Sequence, residues 1–143
     1  MEQRVLLSPQ QKRLVQLTLA KVLLRSGTFS DVLFGQLFRA DPSLMAVFKT
    51  SKAELGRRLL HLLEIAVSLV DAPDELAQAM HNLGQHHAEY RAIQEHYPLF
   101  GRVFAATLER VLGRAYNPEI AAAWTELFDL LAALATEELY DRV

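Results

Sequence analysis

At 143 residues with a 51% hydrophobic fraction, the chain is long enough to bury a substantial core and too short for several, so one domain spanning 1–143 is expected. Fifteen Lys and Arg nearly balance seventeen Asp and Glu, for a formal net charge of −2, and no basic run supplies the field that draws proteins to nucleic acid. The absence of cysteine excludes disulfides and thiolate chemistry, leaving histidine and carboxylates as metal ligands; with no bilayer-length apolar run and no signal-peptide pattern at MEQRVLLSPQQ, a cytoplasmic protein without membrane contact is expected.

Sustained period-2 alternation is missing, whereas apolar residues recur at three and four along most of the chain, which predicts an all-α fold. Ser8-Pro9-Gln10-Gln11 opens a first helix as cap, first-turn proline and capping-box glutamine, and the helix runs to about Arg25. Ser26-Gly27 breaks it, and a second helix covers Asp31 to Arg39, ended by Asp41-Pro42. A short turn carries Leu44 to Phe48. From about Ala53 a long amphipathic helix presents Leu55, Leu59, Leu62, Ala66 and Leu69 on one side, with Arg57, His61 and Glu64 opposite. Asp71-Ala72-Pro73-Asp74 interrupts, and a helix then runs from Leu76 through His87. Pro98 sits in the first turn of another that ends at Gly113. Asn117-Pro118 starts the last, which buries Ile120, Trp124, Leu127, Phe128, Leu131 and Leu134.

The stretch with most chemistry is LGQHHAEYRAIQEHYPLFG, from Leu83 to Gly101. At 3.6 residues per turn, Met80 and His87 fall within about 20° of one helical face, while His86 is about 120° away. His87 therefore points inward with Met80 and Leu83, and His86 points out. By the same phase His61 and His81 face solvent.

Together with Pro42 and Phe48, this stretch resembles the globins, and its HYPxxG run (His96, Tyr97, Pro98, Gly101) is most similar to the bacterial single-domain haemoglobins and the globin domain of flavohaemoglobins. The resemblance runs from about Ser8 to Glu138. It implies seven to eight helices around a haem b pocket, with His87 as proximal iron ligand. In that pattern Leu83 precedes the ligand by a turn, Arg91 follows it as a propionate partner and Ile93 closes the pocket. Tyr97 and a carboxylate of the last helix, Glu138 or the adjacent Glu137, hydrogen-bond toward the proximal histidine and add electron density to the metal.

On the other wall the resemblance places Phe48 against the porphyrin, Phe34 over the iron, Leu55 at the distal position and Leu59 a turn beyond. Relatives usually carry tyrosine and glutamine or histidine at the two distal positions, so this chain departs from them with a wholly apolar wall. A one-residue slip would substitute Glu54 for Leu55, and Lys52 is a remaining alternative as a distal ligand. Arg58 and Arg91 are the expected partners of the haem carboxylates.

The leading reading is a haem globin that reversibly binds dioxygen or another diatomic gas, as carrier or store. The alternatives are a nitric-oxide dioxygenase or peroxidase-like enzyme served by a separate reductase, a haem-based gas or redox sensor, and a helical bundle without cofactor. Neither an E-x-x-H nor an H-E-x-x-H pattern supports a di-iron or zinc centre.

Overall fold

A computed structural model of the chain describes residues 7–86 and 88–141, and the side chains among them other than those at 83–86, 88–90, 94 and 135–141. The described residues form seven α-helices, two 3-10 turns and no strand: α1 Pro9–Leu23, α2 Ser26–Ala40, a turn at Pro42–Ala46, α3 Lys52–Ser68, α4 Pro73–His86, α5 Ala88–Glu95, α6 Tyr97–Leu112, a turn at Gly113–Ala115 and α7 Pro118–Asp141. No helix among them is long and apolar enough to cross a membrane.

The helix starts are set by local chemistry. Ser8 and Gln11 form both hydrogen bonds of a capping box, at 3.1 and 2.9 Å. Ser51 Oγ accepts from the Glu54 amide at 3.1 Å to start α3, and Asn117 Oδ1 accepts from the Ile120 amide at 2.9 Å before α7. Gly113 ends α6 at φ 58°, a left-handed conformation that a side chain would strain.

Two elements differ from the sequence expectation. α2 begins at Ser26, not Asp31, because the chain breaks at Arg25, whose φ −126° and ψ 40° are not helical. Gly27 falls in the first turn, where backbone amides lack an intrahelical partner in any case. The second is α5, a separate helix between His87 and the HYP run that apolar periodicity alone did not mark.

α2 packs on α3 at a very short approach. A Cβ built on Gly56 would stand 2.5 Å from Ser30 Cβ and 3.3 Å from its Cα, so only glycine lets the two backbones come this close. Ser30 Oγ donates to the Ser26 carbonyl at 2.8 Å, which satisfies the hydroxyl inside the crossing. The buried face of α3 is broader than the predicted stripe, with Leu60, Leu63 and Val67 joining Leu55, Leu59, Leu62 and Ala66, while Leu69 is half-buried past the last turn.

α2 also meets α6 through aromatic rings, and the ring contacts continue from α6 to α7. Phe29 packs edge-on to Phe104 at 5.9 Å, and Phe104 meets Phe128 at 4.9 Å and Trp124 at 5.2 Å. Trp124 Nε1 donates to Thr18 Oγ1 at 2.8 Å, joining α7 to α1 within the core. Thr18 occupies a position of the α1 stripe between Val15 and Val22, and its hydroxyl also donates to the Leu14 carbonyl at 2.7 Å.

Gly56→Ala is expected to cost about 1–3 kcal/mol in a urea melt, since the new methyl group must push α2 from α3. Ser30→Gly should recover part of that loss, so the double variant should be more stable than the sum of the single losses predicts. Thr18→Val should cost about 1–3 kcal/mol, because it leaves the buried indole N–H without an acceptor.

Candidate functional site

Near the α2–α3 crossing, Phe34 lies one turn beyond Ser30 and Leu55 stands next to Gly56. Phe34 is 1% exposed, Leu55 2%, Phe48 4% and Leu59 5%. Phe34 and Phe48 meet at 5.8 Å between ring centres, and Phe38 completes a trio at 6.1 Å from Phe34 and 5.8 Å from Phe48. The four residues expected on the distal wall are thus buried apolar side chains, and two of them touch.

Polar capacity in this interior is already committed. Among the described residues the buried polar side chains are Thr18, Ser30 and Thr107. Thr107 Oγ1 donates to the Val103 carbonyl at 2.8 Å, Ser30 and Thr18 donate to carbonyls of their own helices, and no buried side-chain nitrogen or oxygen among the described residues lacks a partner. No described histidine, glutamine or tyrosine is buried near Phe34 and Leu55 to serve as a donor there. Glu54, the residue a one-position slip would bring in, is turned to the surface. Arg57 Nε donates to its Oε2 at 3.0 Å, and Arg58 Nε lies 3.4 Å from its Oε1. The hydrogen bond from Arg57 and the charges of both arginines hold the Glu54 carboxyl below the usual range.

Of the two arginines expected to meet haem carboxylates, Arg58 leaves α3 toward solvent, partly engaged by Glu54, and Arg91 is exposed on α5. Lys52 is exposed as well, its ammonium against the surface of α2 at Gly35. Ile93 is half-buried against the core, and Met80, which shares the inward phase of His87, is 2% exposed. His61 is exposed, as its phase predicted; His81 is half-buried and has an interaction partner. His87 lies outside the described residues, as do the side chains of Leu83, His86, Glu137 and Glu138.

Tyr97 begins α6 with its ring half-buried and edge-on to Phe128 at 6.4 Å. Its hydroxyl donates to Asp129 Oδ1 on α7 at 2.8 Å. Asp129 was not among the expected partners: it is an exposed position with no periodic signal of its own, whose nearest clue is adjacency to Phe128, while the expected Glu138 and Glu137 side chains lie outside the described residues. Burial, then the Asp129 hydrogen bond and charge, push the phenol well above its ordinary value. A phenol held protonated by the fold contributes stability that is complete below about pH 10 and is lost as the pH climbs beyond that. In an alkaline absorbance titration Tyr97 should ionise above the range of a free phenol, and Asp129→Asn should move its transition to lower pH.

Comparison with known proteins bears on the family and the fold. The globin family profile matches residues 32–134. Flavohemoproteins of Deinococcus radiodurans and Rhizobium meliloti are 26% and 28% identical over 90% and 96% of the chain, and the chain spans about a third of their length, 33% and 36%. Among solved structures, an engineered carbene transferase from a Rhodothermus marinus protein described as a nitric oxide dioxygenase superposes with TM-score 0.76 at 26% identity, over 95% of this chain and 96% of that one. The family match covers most of the chain and the helices superpose almost end to end, so the chain belongs to the globin family.

Proposed function

We propose that the chain, read as one globin domain over 1–143, binds haem b through His87 and reversibly takes up a diatomic gas, dioxygen first, as a carrier or store. Family membership implies haem. The residues present fit that group in kind: Phe34, Phe38, Phe48, Leu55 and Leu59 would line an apolar macrocycle, and the exposed Arg58 and Arg91 are the cations proposed to meet its carboxylates. Bound there, haem supplies an iron that accepts a diatomic ligand and exchanges one electron.

Each side chain then has a definite task. His87 would hold the haem iron through a neutral imidazole nitrogen, and Met80, of the same helical phase and buried, would help keep water from it. Phe48 wedges the macrocycle, while Phe34, Leu55 and Leu59 shape a space that excludes water and lends no hydrogen bond to a polar ligand. Tyr97 gives its only proton to Asp129, which leaves the phenol oxygen as an acceptor on the proximal side of α6.

The observation that carries the reading is the apolar, fully hydrogen-bonded interior around Phe34 and Leu55. It favours ready release of dioxygen and ready oxidation of the iron, with carbon monoxide less affected. A second reading, nitric-oxide dioxygenation served by a separate reductase, is favoured by the relatives, which are flavohemoproteins and a protein described as a nitric oxide dioxygenase.

Expressed with haemin, the protein should show a Soret band, and His87→Ala should lose the normal ferrous spectrum. Leu55→Gln supplies a donor worth about 1–3 kcal/mol, so dioxygen dissociation should slow by about 5- to 150-fold in stopped flow. An already slow wild-type rate that Leu55→Gln leaves unchanged would overturn the apolar-wall reading. Sustained nitric oxide consumption with a reductase and reduced nicotinamide would favour turnover, and a single-turnover stop would favour carriage.

A further inference from the structure

The chain as a whole is slightly acidic, yet the stretch between Arg39 and Arg58 holds five cations, Arg39, Lys49, Lys52, Arg57 and Arg58, against Asp41 and Glu54. The remainder of the molecule therefore carries the excess of negative charge. Both carboxylates of the stretch are taken: Asp41 accepts from the Ser43 amide and hydroxyl at 3.1 and 2.5 Å and lies 4.0 Å from His96 Nδ1, and Glu54 pairs with Arg57 and Arg58. Among the described residues Arg39, Lys49 and Lys52 form no ion pair.

Folding brings two of these cations, Arg39 of α2 and Lys52 of α3, together. The Lys52 ammonium and the Arg39 guanidinium lie 3.7 and 4.0 Å from the point where a Cβ on Gly35 would stand, so two like charges share one spot on α2. Ring contacts of Phe48 with Phe34 and Phe38 hold the 42–52 loop against the same part of the helix. That loop exposes Met45 at 58% and Val47 at 37%. The 42–52 loop thus exposes two apolar side chains in the same stretch of chain as the exposed Lys49 and Lys52, and Val47 is directly followed by Phe48, the residue proposed to touch the haem.

We propose that this surface docks an acidic one-electron donor protein, one that returns the oxidised iron to the ferrous state. The occupant is argued from the charge: unneutralised cations accelerate and orient encounters with an acidic face, and two exposed apolar side chains suit a transient complex. The step is a single electron leaving the donor and reducing ferric iron to ferrous, with no bond made or broken. The inference rests on the haem reading proposed for this chain, and an apolar distal wall that favours oxidation gives such a donor its use.

The test uses the ferric holoprotein, with a reduced flavodoxin as the acidic donor. Anisotropy of labelled flavodoxin should report binding, and stopped flow should report reduction; both should weaken at least about tenfold as ionic strength rises from about 0.02 to about 0.3 M. The triple variant Arg39→Glu, Lys49→Glu, Lys52→Glu should show the same loss at low salt, while Lys49→Arg with Lys52→Arg should keep both signals. Arg102→Glu, Arg110→Glu, Arg114→Glu makes the same change in net charge elsewhere and should have a much smaller effect.

Insensitivity to salt, wild-type behaviour of the first triple variant, or an equal loss in the second would each overturn the docking surface. So would loss of binding to sulfate at constant ionic strength, which marks a small-anion site, or salt-sensitive self-association, which assigns the patch to a second copy. Dithionite should reduce every variant alike. Absence of a haem spectrum at that step would count against the haem reading, and the anisotropy arm would still decide the docking.

Discussion

The contact between Gly56 and Ser30 is the constraint on which the arrangement of the distal side rests. Two helices approach closely only where a side chain is missing, and here the missing Cβ lets α2 and α3 nearly touch. The register of that crossing decides which side chains enter the interior on either side of it. Leu55 is the next residue before the glycine, and Phe34 is one turn beyond the serine, so both are buried beside the crossing. Shifting α3 by one residue would instead turn Glu54 inward and strand its carboxylate away from Arg57 and Arg58.

The polar groups of the interior share one pattern. The three buried hydroxyls of the described residues bond to backbone carbonyls of their own helices, and one of them also receives the indole N–H. Each is therefore a structural device, with no proton left over for a guest molecule. Selectivity among diatomic gases in such a space comes from shape and from the electronic character of the metal more than from hydrogen bonding. Elsewhere in the fold the phenol of Tyr97 donates to the Asp129 carboxylate near the middle of α7.

Much of this was readable in the residues because local chemistry decides it. Each of the chain's five prolines stands at or next to a helix start, at Pro9, Pro42, Pro73, Pro98 and Pro118, and every buried position expected on α7 is buried. Phe34, Phe48, Leu55 and Leu59 were placed inside by phase and resemblance, and they are inside. What escaped were features created by tertiary approach. Asp129 looks like any solvated acid until α6 brings Tyr97 to it. Gly56 reads as a helix weakener until α2 arrives. Arg39 and Lys52 stand thirteen residues apart in the sequence, and only the packing of α3 on α2 brings their charges together at Gly35. The inward phase of His87 remains a property of the sequence, since that residue lies outside the described part.

One further consequence attaches to Trp124, the single tryptophan of the chain. Its indole is enclosed by Phe104 and Phe128 and tethered to α1 through Thr18. All intrinsic tryptophan emission therefore originates from one site, at the seam between the first helix and the last. A shift in its wavelength reads the docking of α1 on α7 directly, and that makes the native fluorophore a gauge of whether these two helices, more than a hundred residues apart at this contact, have come together.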